Sequence, residues 1–217
     1  MSAERLEQVF RLLQAHHGPM HWWPGETPFE VMVGAILTQN TAWTNVERAI
    51  VALKEVGALE PRALLALPEE ALAQRIRPSG YYNVKAGRLR AFSRWLLESG
   101  GEEALRSWPT ETLRPALLGV KGIGPETADD ILLYAFDRPV FVVDAYTRRL
   151  FSRLGLSRAE APYETLRAEV ESALGPDVPV LNELHALIVN HGKSVCRPRP
   201  RCGDCILRND CPSAGMA

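Results

Sequence analysis

Apolar residues recur at helical spacing along almost the whole chain. Leu6, Val9, Phe10 and Leu13 share one helix face. Phe29, Met32, Val33, Ile36 and Leu37 share another, after Pro28, a residue suited to a first helical turn. The same periodicity predicts helices over about 43–56, 83–98, 110–117, 126–136, 145–154, 163–174 and 180–191. Gly57, Pro61, Pro68, Pro78-Ser79-Gly80, Gly100-Gly101, Pro109, Gly155, Pro162 and Gly175-Pro176 punctuate them. The best strand candidate, 139–143, is short and has no visible partner, so it reads as a linker. The pattern predicts an all-α protein of many short helices, without repeats or low-complexity segments.

Composition narrows the class. The 217 residues are 46% hydrophobic and 24% charged, as in a soluble globular protein of one or two domains. Apolar runs such as Val31 to Leu37 are far too short to span a bilayer, so no membrane partner is expected. A net charge of −1 does not announce nucleic acid. Its distribution is more informative: acidic residues gather at 60–70 and 160–171, whereas the segment from Lys193 carries Arg197, Arg199, Arg201 and Arg208 against Asp204. A local basic surface suits phosphate contact, though a solvated charged loop would look the same.

All four cysteines fall in that segment: Cys196, Cys202, Cys205 and Cys211, spaced C-x5-C-x2-C-x5-C. No positively charged, apolar leader is visible, so an oxidising compartment and paired disulfides are not expected. Four thiolates on one turn-rich segment can close around a metal ion or an iron–sulfur cluster. The spacing matches neither paired zinc knuckles nor the bacterial ferredoxin run, and by itself leaves both open.

Residues 117–135, LLGVKGIGPETADDILLYA, predict two helices joined by Gly122-Ile123-Gly124, with Pro125 opening the second. The glycines can take positive φ and let a backbone approach closely, while the unpaired N–H groups of the new helix face outward at its positive end. Such a turn can hold a phosphate, with Ile123 plugging the gap between helices; an ordinary αα-hairpin with a glycine corner is the plainer reading. Downstream, Asp144 follows four apolar residues and opens the next helix, where it reads first as an N-cap. A carboxylate at such a place can also serve as a base towards water or stabilise a developing cation. Trp22, Trp23 and Pro24 are adjacent and Trp43 begins the next predicted helix, so three of the five tryptophans lie close together. Core packing explains at least one of them.

Together these segments resemble the endonuclease III superfamily of DNA glycosylases. LLGVKGIGPETADDIL followed by VVDAYTRRL is similar to the family's helix–hairpin–helix and aspartate signature, and the cysteine loop to its [4Fe–4S] loop. The order of elements matches from about Arg5 to Cys211, although the first cysteine gap is one residue shorter than usual. The resemblance implies two helical lobes, one over 22–135 and one joining 1–21 to 136–217, with a [4Fe–4S] cluster held by the four cysteines of 196–211. It implies Asp144 as the catalytic carboxylate and Lys121, Gly122, Ile123, Gly124 and Lys193 as DNA contacts. Gln39 and Asn40 resemble the wedge that fills the gap left by a flipped base, and Lys85 lies in a segment that touches DNA or packs along a helix.

Strand-cleaving members carry a lysine two residues after the second hairpin glycine; here that residue is Glu126, which cannot form an imine. W-W-P with L-T-Q-N-T, and Glu126 itself, resemble the 3-methyladenine DNA glycosylase III branch. That resemblance implies a monofunctional alkylpurine glycosylase with Trp22, Trp23, Pro24 and Trp43 at the base and Glu126 assisting Asp144. The expected partner is double-stranded DNA with damaged bases, met by a cytoplasmic monomer. An endonuclease III-like enzyme for oxidised or mismatched bases with lyase activity is the rival enzyme reading. A non-catalytic lesion-binding protein is the rival of another class.

Overall fold

In the computed structural model, which describes residues 1–20 and 22–215, twelve α-helices and three short 3-10 turns form, and no strand is present among those residues. The chain divides into two compact units, one of Met1–Trp22 with Pro139–Ala217 and one of Trp23–Arg138. The second crossing lies a few residues beyond the boundary expected at 135/136. Arg138 explains the shift: its guanidinium donates to the carbonyls of Arg106 (2.6 Å) and Trp108 (3.1 Å), which keeps it in the middle unit.

The middle unit is built round α2 (Pro28–Leu37), whose residues from Phe29 to Leu37 are all buried. A helix buried on every side must be central, and its one charged side chain, Glu30, pairs with Lys54 at 3.0 Å. Thr27 caps it, accepting from the Glu30 N–H at 3.1 Å. Around it pack α3 (Trp43–Lys54), α6 (Tyr82–Glu98) and α9 (Pro125–Ala135). The short helices α4 (Pro61–Ala66) and α5 (Glu69–Arg75) lean on α6, α7 (Gly101–Arg106) follows it, and α8 (Thr110–Leu118) pairs with α9.

The outer unit packs α1 (Ala3–His17), α10 (Ala145–Arg153) and α11 (Tyr163–Leu174) against α12 (Val178–Ser194). The segment 140–143 is buried and irregular, in keeping with its reading as a linker. After α12 the cysteine loop runs through 3-10 turns at Cys202–Asp204 and Arg208–Asp210. Arg5 fastens α1 to it, donating to the carbonyls of Leu154 at 2.5 Å and Asp210 at 3.3 Å. Among the described residues no helix is long and apolar enough to cross a membrane.

Candidate DNA-repair site

The hairpin between α8 and α9 is formed by its own chemistry. Gly122 sits at φ +91°, and a Cβ there would run into the side chain of Arg88. Gly124 differs from expectation: it caps α9 in extended backbone, φ −97°, which any residue adopts. A Cβ on Gly124 would meet nothing within 4 Å, so its surroundings are open, and the cap supplies no side-chain acceptor to α9. Ile123 is buried between the helices as expected, while Lys121 and Glu126 are exposed on either side of the turn. Arg114 on α8 grips the fully buried Asp129 on α9 with two bonds, 2.7 and 3.0 Å, and so fixes the angle of the hairpin.

Two residues expected at DNA are instead part of the scaffold. Lys85 is buried, and its ammonium donates to the Leu37 carbonyl (2.7 Å), the Thr41 hydroxyl (2.6 Å) and the Ser79 carbonyl (2.7 Å). Three acceptors require three N–H bonds, so the amine is held protonated even though burial, and then the charge of Arg88, pushes its pKa down to about 8. Lys85 therefore does not reach a phosphate; it ties the end of α2 to the 79–81 turn. Gln39 donates to the Gly122 carbonyl (3.1 Å) and the Thr127 hydroxyl (2.9 Å), and its own carbonyl accepts from Arg88. Its carboxamide is spent on the hairpin. Asn40, the other wedge candidate, is exposed at φ +52°. It shares a shallow cleft with Tyr81, which is 73% exposed at φ +46°.

The tryptophans divide between the units. Trp23 packs edge-to-face on Trp43 with centroids 5.1 Å apart and lies 5.0 Å from Tyr134; Gly34 leaves room beneath it. Pro24 beside it is exposed. Trp22 belongs to the outer unit, where the Lys193 ammonium stands 5.4 Å over its ring and 5.9 Å over that of Tyr146. Tyr146 lies so close along α12 that a Cβ on Gly192 would come within 2.6 Å of its ring. Tyr134 and Tyr146 escaped the sequence reading because each occupies an ordinary helical position.

Asp144 caps α10, one oxygen accepting from the Thr147 N–H at 2.7 Å. The other oxygen is 3.7 Å from Nε2 of His185 on α12, and the carboxylate side chain is 12% exposed. Burial pushes its pKa up, but the His185 imidazole and the Thr147 amide outweigh this and hold it below the ordinary carboxylate value. The result is an anion at neutral pH with apolar walls, Val140 to Val143 on one side. His185 was not anticipated: it sits among Leu184, Ala186, Leu187 and Ile188, where a lone histidine reads as core.

All four cysteines line one cavity of about 600 Å³, together with Leu150, Leu154, Val195 and Leu207. None is paired in a disulfide. Among the described residues no His, Cys, Asp or Glu group is disposed to hold a single metal ion. Burial, and then the charges of the other three cysteines, push the Cys205 thiol up. Side chains already point at the sulfurs. Arg153 donates to Cys196 Sγ at 3.3 Å and to the carbonyls of Arg197 and Pro198, and His191 Nε2 lies 3.4 Å from Cys205 Sγ. Burial, followed by the charges of His17 and His16, pushes His191 down to about 4, so it is neutral. Arg197, Arg199, Arg201 and Arg208 are exposed.

The chain is similar to known proteins along nearly its full length. The profile described as "HhH-GPD superfamily base excision DNA repair protein" matches residues 33–176. The protein MJ1434 of Methanocaldococcus jannaschii, provisionally named a DNA repair glycosylase, is 46% identical over 213 residues, 97% of each chain. Endonuclease III of Thermotoga maritima is 33% identical over 187 residues, 85% of this chain and 82% of that one. The crystal structure of H. pylori 3-methyladenine DNA glycosylase (MagIII) bound to 1,N6-ethenoadenine superposes with a TM-score of 0.76 at 31% identity, covering 89% of this chain and 98% of that one.

Proposed function

Since the chain belongs to the HhH-GPD superfamily of base excision DNA repair proteins, we propose that it hydrolyses the N-glycosidic bond of alkylated purines of the 3-methyladenine class in double-stranded DNA and leaves the strand uncut. The observation that carries this reading is Glu126, which stands at the hairpin position where strand-cleaving members hold a lysine, in a chain whose Asp144 is held below the ordinary carboxylate value. The bond between C1′ and the cationic base breaks with its electron pair going to the base, which leaves neutral. Asp144 stabilises the oxocarbenium-like sugar and takes the proton from the water that adds to C1′. No amine has to attack, so no imine forms and no elimination follows.

Recognition divides along the same lines. Gly122, Ile123 and Gly124 receive a backbone phosphate at the open end of α9, with Lys121 alongside. Asn40 fills the gap in the duplex, and Gln39 braces the turn that presents it. Trp22, Trp23, Pro24 and Trp43 contact the extruded base; an aromatic face is worth about 0.5–2 kcal/mol towards a cation. Glu126 orients water or base, and Lys193 meets the DNA. The H. pylori relative at 31% identity, seen with a modified adenine, supports an alkylated purine as substrate. The cysteine cavity fits a [4Fe–4S] cluster held by Cys196, Cys202, Cys205 and Cys211, whose chemistry when bound is that of a compact cationic centre for four thiolates. Here those residues shape the arginine loop that touches DNA. The protein acts as a monomer.

One observation favours a second reading. Endonuclease III of Thermotoga maritima is 33% identical, which suits an enzyme for oxidised pyrimidines with lyase activity. A panel of duplexes with defined lesions separates the two. We expect released 3-methyladenine and no borohydride-trapped adduct; release of oxidised pyrimidines with efficient trapping would replace the first reading by the second.

A further inference from the structure

A chain of hydrogen bonds runs through the outer unit and ends on one sulfur of the cysteine cavity. Asn190 Nδ2 lies 3.1 Å from His17 Nδ1, His17 Nε2 lies 3.1 Å from His191 Nδ1, and His191 Nε2 lies 3.4 Å from Cys205 Sγ. His191 is completely buried, and the two imidazoles meet edge to face at 5.3 Å. Every nitrogen of both rings is therefore engaged.

The chemistry of the two ends fixes the direction of the whole chain. A ligated cysteine is a thiolate and carries no proton, so its contact with His191 is attractive only if Nε2 carries the hydrogen. A neutral imidazole with hydrogen on Nε2 accepts at Nδ1, so His17 must donate from its own Nε2. His17 then accepts at Nδ1, and the group facing it, the amide nitrogen of Asn190, can only donate. The far end thus supplies the donor that the near end requires. The order amide to imidazole to imidazole to thiolate is consistent at each link, with neither ring charged.

We propose that Asn190, His17 and His191 form a polarised relay that fixes the His191 tautomer and donates to the Cys205 ligand, setting how electron-rich the bound cluster is. This rests on the cluster reading given above. A hydrogen bond to a ligating sulfur withdraws electron density and stabilises the reduced cluster, which raises its reduction potential. His191 is a positioning residue here: it touches a ligand, not the iron and not the DNA.

The test is film voltammetry of the iron-loaded protein, with iron, sulfide and visible absorbance measured on the same samples. His191→Leu removes the donor, and we expect full iron loading with a potential shifted to more negative values. His191→Gln places an amide N–H near the same point and should recover most of that shift. His17→Phe touches no cysteine yet releases the tautomer, and should give a smaller shift of the same sign. Should His191→Leu fail to fold or load, His17→Phe decides alone. Loaded variants with the wild-type potential would overturn the relay while leaving the cluster in place. A wild-type protein that takes up no iron would overturn the cluster reading and the relay with it.

Discussion

The two units direct their buried polar groups to different ends, the middle unit to its hairpin and the outer unit to Asp144 and the cysteine loop. In the middle unit the polar side chains answer one another. Lys85 satisfies three acceptors, Gln39 spans from the Asn40 turn to the hairpin, and Arg114 holds Asp129 with two bonds. The hairpin's shape is thus complete in the polypeptide. In the outer unit Asp144 is supported from within by Thr147 and His185, but the four thiols face a cavity. The lesson is that the hairpin is held by bonds among its own side chains, whereas the loop bearing the arginines is held by Arg153 and His191 around four sulfurs.

Substitutions can break this contrast, and the largest effect belongs to the middle unit. Arg114→Ala removes both guanidinium bonds from a carboxylate with no solvent exposure and should cost about 3–5 kcal/mol of stability, read by denaturant unfolding. A loss below about 1 kcal/mol would show that the hairpin angle is held by something else. Next comes the chemistry of the outer unit. Asp144→Asn keeps an N-cap oxygen but removes the anion, so single-turnover excision should fall by about 10²–10³ with DNA affinity near that of the parent. A variant that binds weakly and cuts at the parental rate would reverse the roles assigned to it.

The two hairpin glycines sharpen the comparison because their constraints differ. Gly122→Ala must adopt positive φ and displace Arg88, a cost of about 1–3 kcal/mol in folding. Gly124→Ala meets open space in ordinary backbone and should leave stability within about 0.5 kcal/mol. Its affinity for duplex DNA should fall all the same, because the methyl group occupies the approach of a phosphate. Equal affinities for parent and Gly124→Ala would remove that approach from the account.

The smallest effect is with acid. The Asp144 pKa is lower in the folded protein than in the unfolded chain, so its contribution to stability is present above the ordinary carboxylate value and is lost as pH falls through the folded one. Unfolding midpoints below pH 4 should therefore fall less steeply for Asp144→Asn than for the parent; parallel curves would deny the depressed pKa.

How much could be read beforehand depended on whether a feature was local. Residues 163–174 are helical as expected because Pro162 and Gly175 bracket them. The helix expected over 180–191 begins earlier, at Val178, because Asp177 caps it and accepts from the Val180 N–H at 3.0 Å. Three helices of six or seven residues, α4, α5 and α7, were missed: fewer than two turns give periodicity little to show. The hairpin, the Asp144 cap and the cysteine cluster are contiguous motifs and were visible. The fates of Lys85 and Gln39, and the support of Asp144 by His185, depend on residues remote in sequence, which no local pattern reports. Of the two hairpin glycines that can take positive φ, only Gly122 does, since Gly124 caps α9 in extended backbone.

The most direct measurement is a single-turnover reaction on an end-labelled duplex carrying one 3-methyladenine, each time point divided between direct loading and alkali treatment. Free base should appear with time, with label shortened only in the alkali-treated half. Strand scission in the untreated half at the rate of base release, or no base released by iron-loaded protein, would contradict it.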